Sequence, residues 1–180
     1  MPVQLATRVA LAAPSTWAAR LAVPQIYQEQ TEWCWAACAQ MVLRYYGNNT
    51  VRQCDLPSRH FGQPCCEDPG SVLCNEPAQV PDIAGIYKDW GRPSAAKYVS
   101  GSVPFQTLQG EINAKRPVEV GFIWDDGNGH QAIVCGWDID DTGPLVLVND
   151  PRWGSGAVYY ANLVLAYGWG SWRHTWISMV

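Results

Sequence analysis

Cys34 stands where a predicted helix begins, a position at which a cysteine is readily converted into a nucleophile. The residues from Cys34 to Tyr46 are mostly good helix formers, and Gly47 is well placed to end the helix. A thiol attacks a carbonyl well only as thiolate, which a helix N-terminus and a neighbouring imidazole both stabilise. Cys34 has the first by position, and one of three histidines must supply the second. The chemistry expected of such a pair is acyl transfer through a thioester.

The segment around Cys34 reads QEQTEWCWAAC. Gln28 lies six residues before Cys34, and the aromatic Trp35 follows it directly. This pattern resembles the papain superfamily of cysteine peptidases, in which the glutamine amide and the cysteine backbone N–H hold the oxyanion of the tetrahedral intermediate. The resemblance implies that Gln28 lies in the oxyanion hole. Gln25 and Gln30 compete for this role, and the six-residue spacing disfavours both.

A second motif, NGHQAIVCGWD, carries the candidate base. His130 is followed by an apolar run and by a Gly-aromatic pair at 136–137, which resembles the papain-like layout of a histidine at the head of a strand in the second lobe. The resemblance makes His130 the proton acceptor from Cys34 and the later donor to the leaving amine. His60 lies in a cysteine-rich loop and His174 in a terminal strand among tryptophans, so neither has comparable surroundings.

The third motif is LVLVNDPRWG, at the end of the next predicted strand. The aspartate of its Asp-Pro pair, Asp150, resembles the orienting residue of the double-glycine peptidases that process bacteriocins and of the secreted effector proteases of plant-pathogenic bacteria. Papain has an asparagine in this role, so Asn149 is the alternative. Neighbouring residues of a strand face opposite sides, so only one of the two can meet His130.

Taken together, the motifs indicate a cysteine endopeptidase that works through a thioester acyl-enzyme, of the kind exported by bacteria as a protease or effector. The expected partners are a peptide or protein substrate and an inhibitor or immunity protein, with no cofactor and no metal. Transglutaminases, arylamine acetyltransferases and cell-wall amidases also use a cysteine, a histidine and a polar third residue. A different alternative is a disulfide-rich aromatic binding module in which Cys34 is structural.

Each of these residues also has a plainer interpretation when it is taken alone. A single cysteine is usually a small buried hydrophobe, a histidine at a turn is usually solvated, and aspartate before proline is often a turn residue. The order and context of all four, Gln28, Cys34, His130 and Asp150, favour the catalytic interpretation.

The seven cysteines are many for 180 residues, and five of them lie between Cys38 and Cys74. This density indicates disulfides and therefore secretion or export to an oxidising compartment. Short loops favour the pairs Cys54–Cys65 and Cys66–Cys74, and the crossed pairs Cys54–Cys66 and Cys65–Cys74 are the alternative. His60 and the cysteines of this loop could also bind a metal, but they lack the CxxC pairs that structural zinc sites favour.

Charge and hydropathy argue against two further classes of protein, those that bind nucleic acid and those that span a membrane. The formal net charge is −4 and no run of Lys or Arg occurs, so the electrostatic footprint of a nucleic-acid-binding protein is absent. No apolar stretch approaches the roughly 20 residues that a transmembrane helix needs. Residues 1–23 show little periodicity and are interpreted as a leader or pro-segment, with the peptidase domain spanning residues 24–180.

The elements that position these motifs change in type along the chain. Helices are predicted at Cys34–Tyr46, Pro81–Trp90 and Val103–Lys115, and strands at Val118–Trp124, His130–Trp137, Leu145–Val148, Gly156–Tyr160 and Trp172–Met179. Residues 48–80 are predicted to be rich in loops. Helices followed by antiparallel strands indicate a papain-like α+β fold, in which a central N-terminal helix carrying the nucleophile packs against a C-terminal sheet or half-barrel.

Overall fold

A computed structural model describes residues 16–91 and 96–179 of the chain. Its central helix, α1, spans Cys34–Tyr45 and buries nine of its twelve residues. The segment WAACAQMVL contains small and straight-chain residues that favour a helix and leave little polar surface. A helix that is apolar nearly all round has to lie inside the protein, and α1 does.

Four further helices and a short 3-10 turn lie around α1 and the sheet. They are α2 (Asp55–Phe61), α3 (Asp82–Asp89), α4 (Phe105–Asn113) and α5 (Tyr160–Val164), with the turn at Ala166–Gly168. The sequence does not predict α2, because its seven residues lie among turn-forming and cysteine-rich segments. Pro57 falls in the first turn of α2, where a missing N–H is harmless, and Gly62 ends the helix in the left-handed conformation.

Seven strands of the described residues form one antiparallel sheet. They are β1 (Ala19–Arg20), β2 (Lys97–Ser100), β3 (Val118–Trp124), β4 (Gly129–Ile139), β5 (Pro144–Asp150), β6 (Gly154–Tyr159) and β7 (Gly170–Ile177). The order is β2-β7-β3-β4-β5-β6, and β1 pairs with β4 at Gly136 and Trp137. The predicted α+β fold, a helix followed by a large antiparallel sheet, is confirmed.

Side chains from the two faces of the sheet enter two cores. On one face, Ile133 and Cys135 of β4 pack against α1. On the other face, Val134 of β4 and Val148 of β5 pack against α4 and α5 through a second cluster that includes Leu108 and Leu163. This alternation decides which polar residues of β4 and β5 can meet at the ends of the strands.

Two disulfides hold the irregular segment between α1 and α3. They join Cys54 to Cys66 and Cys65 to Cys74, so the favoured pairing Cys54–Cys65 with Cys66–Cys74 is wrong and the crossed alternative is correct. The physical reason is burial, since Cys65 and Cys74 lie in the core whereas Cys54 and Cys66 are half-buried beside α2. Neighbouring cysteines face in opposite directions here, which a preference for short loops does not take into account.

Residues 19–28 run along the sheet toward the site. Ala19 and Arg20 pair with β4, the backbone N–H of Leu21 donates to Cys135 O at 2.7 Å, and Leu21 and Val23 are buried. These contacts make residues 19–23 part of the packed structure, whereas residues 1–15 lie outside the described residues. The interpretation of residues 1–23 as a leader or pro-segment stays a prediction. None of the helices within 16–91 and 96–179 has the length and apolar character of a membrane span.

Candidate active site

The start of α1 is held rigidly on both sides of Cys34. The indole of Trp33 donates to Cys74 O at 2.7 Å, and the indole of Trp35 donates to Glu76 O at 3.1 Å. Both rings are buried, so the tryptophans anchor the helix start in the disulfide-bonded segment. No side chain caps α1, and its first backbone N–H groups therefore remain available to an anion at Cys34.

Cys34 opens into a groove of about 530 Å³. One wall is formed by residues 77–80, which follow the second disulfide, and the other by the turn that joins β3 and β4. Gln28, Cys34 and His130 all line this groove. Three of the four predicted site residues therefore share one surface, although His130 is far from Gln28 and Cys34 in the sequence.

The fourth residue, Asp150, lies behind His130 and away from solvent. His130 Nε2 and Asp150 Oδ1 are 3.0 Å apart, and the two residues are 5% and 0% exposed. Cys34 also acts on the imidazole, and this interaction raises the pKa of His130. The imidazole thus interacts with both the thiol and the carboxylate, an arrangement suited to moving a proton at Cys34 while Asp150 fixes the ring.

Strand alternation explains why Asp150, and not Asn149, meets His130. Val134 pairs directly with Val148, and His130 and Asp150 lie an even number of residues from them, on the same face. Asn149 pairs with Ile133 on the opposite face, where its side-chain amide donates to Val23 O at 2.9 Å. The alternative residue is therefore occupied with holding the N-terminal segment.

Aromatic rings enclose the pair formed by His130 and Asp150. The ring centroids of Trp153 and Trp124 lie 5.2 Å and 5.6 Å from that of His130. Tyr167 packs on Trp153 at 6.0 Å and donates from its hydroxyl to Asp150 Oδ2 at 3.2 Å. No sequence pattern indicates Tyr167 as a site residue, because it belongs to a short turn outside the three motifs.

The protonation state of His130 depends on both its burial and its contacts with neighbouring groups. Burial lowers the pKa of His130, but the charge of Asp150, the hydrogen bond that the imidazole forms with it and the interaction with Cys34 outweigh burial and raise the pKa to about 10. The imidazolium form is therefore favoured at neutral pH. A cation at this position stabilises a thiolate at Cys34 and has a proton to give to a leaving group.

Gln28 lies in the groove, but its amide is already engaged. Its Nε2 donates to Gln30 O at 2.8 Å and to Thr31 O at 2.7 Å, while its Oε1 is buried without a hydrogen-bond partner. Gln25 instead donates to Asp150 O at 2.8 Å, and the groove surface includes neither Gln25 nor Gln30. Among the three glutamines, Gln28 alone lines the groove, and its role in an oxyanion hole stays a prediction.

The remaining histidines and the cysteine cluster have other surroundings. His60 packs edge-on against Trp35 and lies 3.7 Å from Asp82, and His174 lines the groove beside Tyr98. Among the described residues, the group Cys54, Asp55 and Cys66 has the spacing of a metal site. Its two sulfur atoms are joined in a disulfide, so they do not offer thiolate ligands.

Comparison with known proteins gives the class of this chain. Residues 20–177 match the profile of a family described as the Peptidase_C39 like family. The chain belongs to that family and is a cysteine peptidase of papain-like fold. No curated protein sequence matches it significantly.

One solved structure shares the fold, and a second is a weaker match. One is a double glycine motif protease from an AMS/PCAT transporter in complex with the leader peptide, with a TM-score of 0.55, 18% identity, and coverage of 89% of this chain and 93% of that chain. The other is the Pseudomonas avirulence protein AvrPphB, with a TM-score of 0.39, 9% identity, and coverage of 82% and 90%. The resemblance to papain-like peptidases expected from the motifs is confirmed.

Proposed function

We propose that this cysteine peptidase cleaves peptide bonds through a thioester acyl-enzyme on Cys34, with His130 as proton donor and acceptor and Asp150 as the group that orients it. The observation that carries the proposal is that Cys34 and His130 line one groove while Asp150 lies 3.0 Å from His130 Nε2, behind the imidazole. The cysteine, the imidazole and the carboxylate lie one after another, as acyl transfer by a nucleophile, a base and an orienting group requires.

The proposed reaction has two halves. The Cys34 thiolate attacks the peptide carbonyl and forms a C–S bond, and collapse of the tetrahedral intermediate breaks the C–N bond while His130 protonates the leaving amine. A water molecule then gives a proton to His130 and attacks the thioester carbonyl. Release of the Cys34 thiolate and of the carboxyl product restores the starting state.

Gln28 is the proposed side-chain donor to the oxyanion, together with the backbone N–H of Cys34. Because its Nε2 donates to Gln30 O and Thr31 O, the amide must release one of these carbonyls before it can reach an oxyanion. A substrate chain entering the groove could drive that change by moving residues 30 and 31. We therefore expect the oxyanion hole to be completed on substrate binding.

The proposed substrate is an extended peptide or a protein segment. The groove lies between residues 77–80 and the β3–β4 turn and includes Cys34 in its lining, which suits a chain that passes over Cys34. The related double glycine motif protease was solved with a leader peptide. The two disulfides favour an exported bacterial protease or effector, for which an inhibitor or immunity protein would be a natural partner.

Digestion of an unbiased peptide library in H₂¹⁸O tests this function. The wild-type chain should produce new carboxyl termini that each carry one ¹⁸O atom, and Cys34→Ala should produce none. Cys38→Ala is the matched control, since Cys38 is a buried free thiol in the same helix. Cleavage by Cys34→Ala would overturn the proposal, and acyl transfer to amines without ¹⁸O incorporation would show a transferase instead.

A further inference from the structure

The turn that follows α5 has an unusual backbone. Ala166, Tyr167 and Gly168 all have positive φ, at 46°, 60° and 88°. Left-handed conformations are unfavourable for residues with a Cβ, and a run of them that includes alanine and tyrosine is rare. Such conformations persist only where the surrounding structure compensates for them, and they are concentrated at functional sites.

The consequence of this backbone is the placement of one side chain. The turn is closed by Gly168 N–H donating to Leu165 O at 2.8 Å and Trp169 N–H donating to Ala166 O at 3.1 Å. Ala166 is fully buried and fixes the turn against the core. The Tyr167 ring is thereby directed into the space beneath Trp153 and Phe122, and its hydroxyl donates to Asp150 Oδ2.

Asp150 is held from several directions. Its Oδ1 accepts from the backbone N–H groups of Arg152 at 2.8 Å and Trp153 at 3.1 Å in addition to the contact with His130. Those donors act on Oδ1, whereas Tyr167 acts on the other carboxylate oxygen. A carboxylate bonded through both oxygens cannot rotate about its Cβ–Cγ bond without losing a contact.

We propose that Tyr167 is a positioning residue of the peptidase, which locks the Asp150 carboxylate and through it the orientation of the His130 ring. This inference rests on the proposed roles of Cys34, His130 and Asp150. Tyr167 does not touch the reacting atoms, so its effect is transmitted by the carboxylate. The strained turn is then explained as the means of bringing a phenol hydroxyl to a buried carboxylate.

Tyr167 also affects the charge balance of the site. Among the described residues, the ionisable side chains that act on the His130–Asp150 pair include Cys34 and Cys38 of α1 and Tyr167 itself. The hydroxyl dipole directs its positive end at Asp150 and so opposes the attraction between the carboxylate and the imidazolium. Removing the hydroxyl should therefore raise the pKa of His130 while leaving the ring less well oriented.

The test compares Tyr167→Phe with wild type and with Tyr160→Phe, which loses a hydroxyl that donates to Val103 O away from the site. The first measurement is the pH dependence of Cys34 alkylation by iodoacetate, which forms a C–S bond, releases iodide and requires no substrate. Its rate should fall at high pH as the His130 imidazolium, which attracts the iodoacetate carboxylate, loses its proton. Tyr167→Phe should move the falling limb to higher pH, and Tyr160→Phe should not.

The second measurement is kinetic, on a peptide that the wild-type chain cleaves. Tyr167→Phe should lower kcat by about tenfold, a change equivalent to about 1.4 kcal/mol, and leave KM unchanged. An unmoved falling limb with unchanged kcat, or equal losses in both variants, would overturn the role of Tyr167. A wild-type alkylation rate without a falling limb would instead contradict the thiolate–imidazolium pair and the proposed function.

Discussion

His130 on β4 and Asp150 on β5 form a buried pair, with Nε2 3.0 Å from Oδ1, at the end of two neighbouring strands. The pair is excluded from water by Trp124, Trp153 and Tyr167. Because both partners are buried, loss of either one leaves an uncompensated group, and the electrostatic effect of the pair is large. The effect of Asp150 on catalysis can be separated by substitution from the effect of Asn149, the preceding residue in the chain.

Replacing Asp150 should be far more harmful to catalysis than replacing Asn149. Asp150→Ala removes the proposed orienting group of His130, so kcat should fall at least about a hundredfold. Asn149→Ala removes a hydrogen bond to Val23 O on the opposite face and should cost about 1 to 3 kcal/mol of stability with little change in kcat. Steady-state kinetics and urea unfolding of both variants measure this, and the reverse ranking of kcat would assign the orienting role to Asn149.

The disulfide pattern predicts two linkages, Cys54–Cys66 and Cys65–Cys74. Because Cys65 and Cys66 are adjacent, a protease cannot separate them. Electron-transfer dissociation of the unreduced peptides should therefore break the backbone between Cys65 and Cys66 and assign the partner of each. The double variant Cys65→Ala/Cys74→Ala should lose about 2 to 4 kcal/mol of unfolding free energy, and a chelator should not change the stability of the wild type. Bound zinc, or the pairing Cys54–Cys65, would contradict this arrangement.

Much of this arrangement could be predicted from the sequence, because its signals are local. Cys34 at a helix start is visible in the sudden run of helix formers, and β3 was predicted with its observed bounds because its apolar run is flanked by turn residues. The assignment of four residues to one site rested on motifs, and the groove brings three of them together with the fourth behind His130.

The remaining features depend on contacts between distant residues. The pairing of Cys65 with Cys74 depends on which side of the chain faces the core, which loop length does not reveal. The two-residue strand β1 exists only because β4 extends beyond its pairing with β3. Tyr167 reaches Asp150 through a left-handed turn that tyrosine and alanine do not favour on their own.

Glu119 makes stability depend on pH. This carboxyl is fully buried between the sheet and α3, where it accepts from the Tyr87 hydroxyl at 2.6 Å. Burial raises the pKa of Glu119 from 4.5 to about 8, although the Tyr87 hydrogen bond lowers it. The folded state thus holds a proton that the unfolded state releases, so stability should fall by about 1.4 kcal/mol per pH unit from above pH 4.5 to about pH 8.

Glu119→Gln tests this dependence because it keeps an acceptor for Tyr87 and cannot ionise. The variant should match the wild type near pH 4.5 and be more stable at pH 9 in urea unfolding. Glu67→Gln, at an exposed position, is the control and should follow the wild type throughout. If the free energy of unfolding changed with pH in the same way for wild type and Glu119→Gln, the pKa of the buried carboxyl would not be raised as expected.

Removing residues 1–15 and removing residues 1–22 should affect the stability of the protein differently. A chain that begins at Thr16 keeps β1 and should be more stable than a chain that begins at Val23. A chain that begins at Val23 loses β1 and the buried Leu21, which should cost about 2 kcal/mol or more. If residues 1–15 inhibit the enzyme, the chain from Thr16 should also turn over peptide faster than the full chain; equal rates would leave these residues without an inhibitory role.

Acid-quench mass spectrometry during peptide turnover tests the central claim most directly. Wild-type protein mixed with a peptide it cleaves, and quenched within one turnover, should carry the acyl part of that peptide as a thioester on Cys34. Asp150→Ala should form the same adduct much more slowly. Turnover with no adduct, or with the adduct on any residue other than Cys34, would contradict the account.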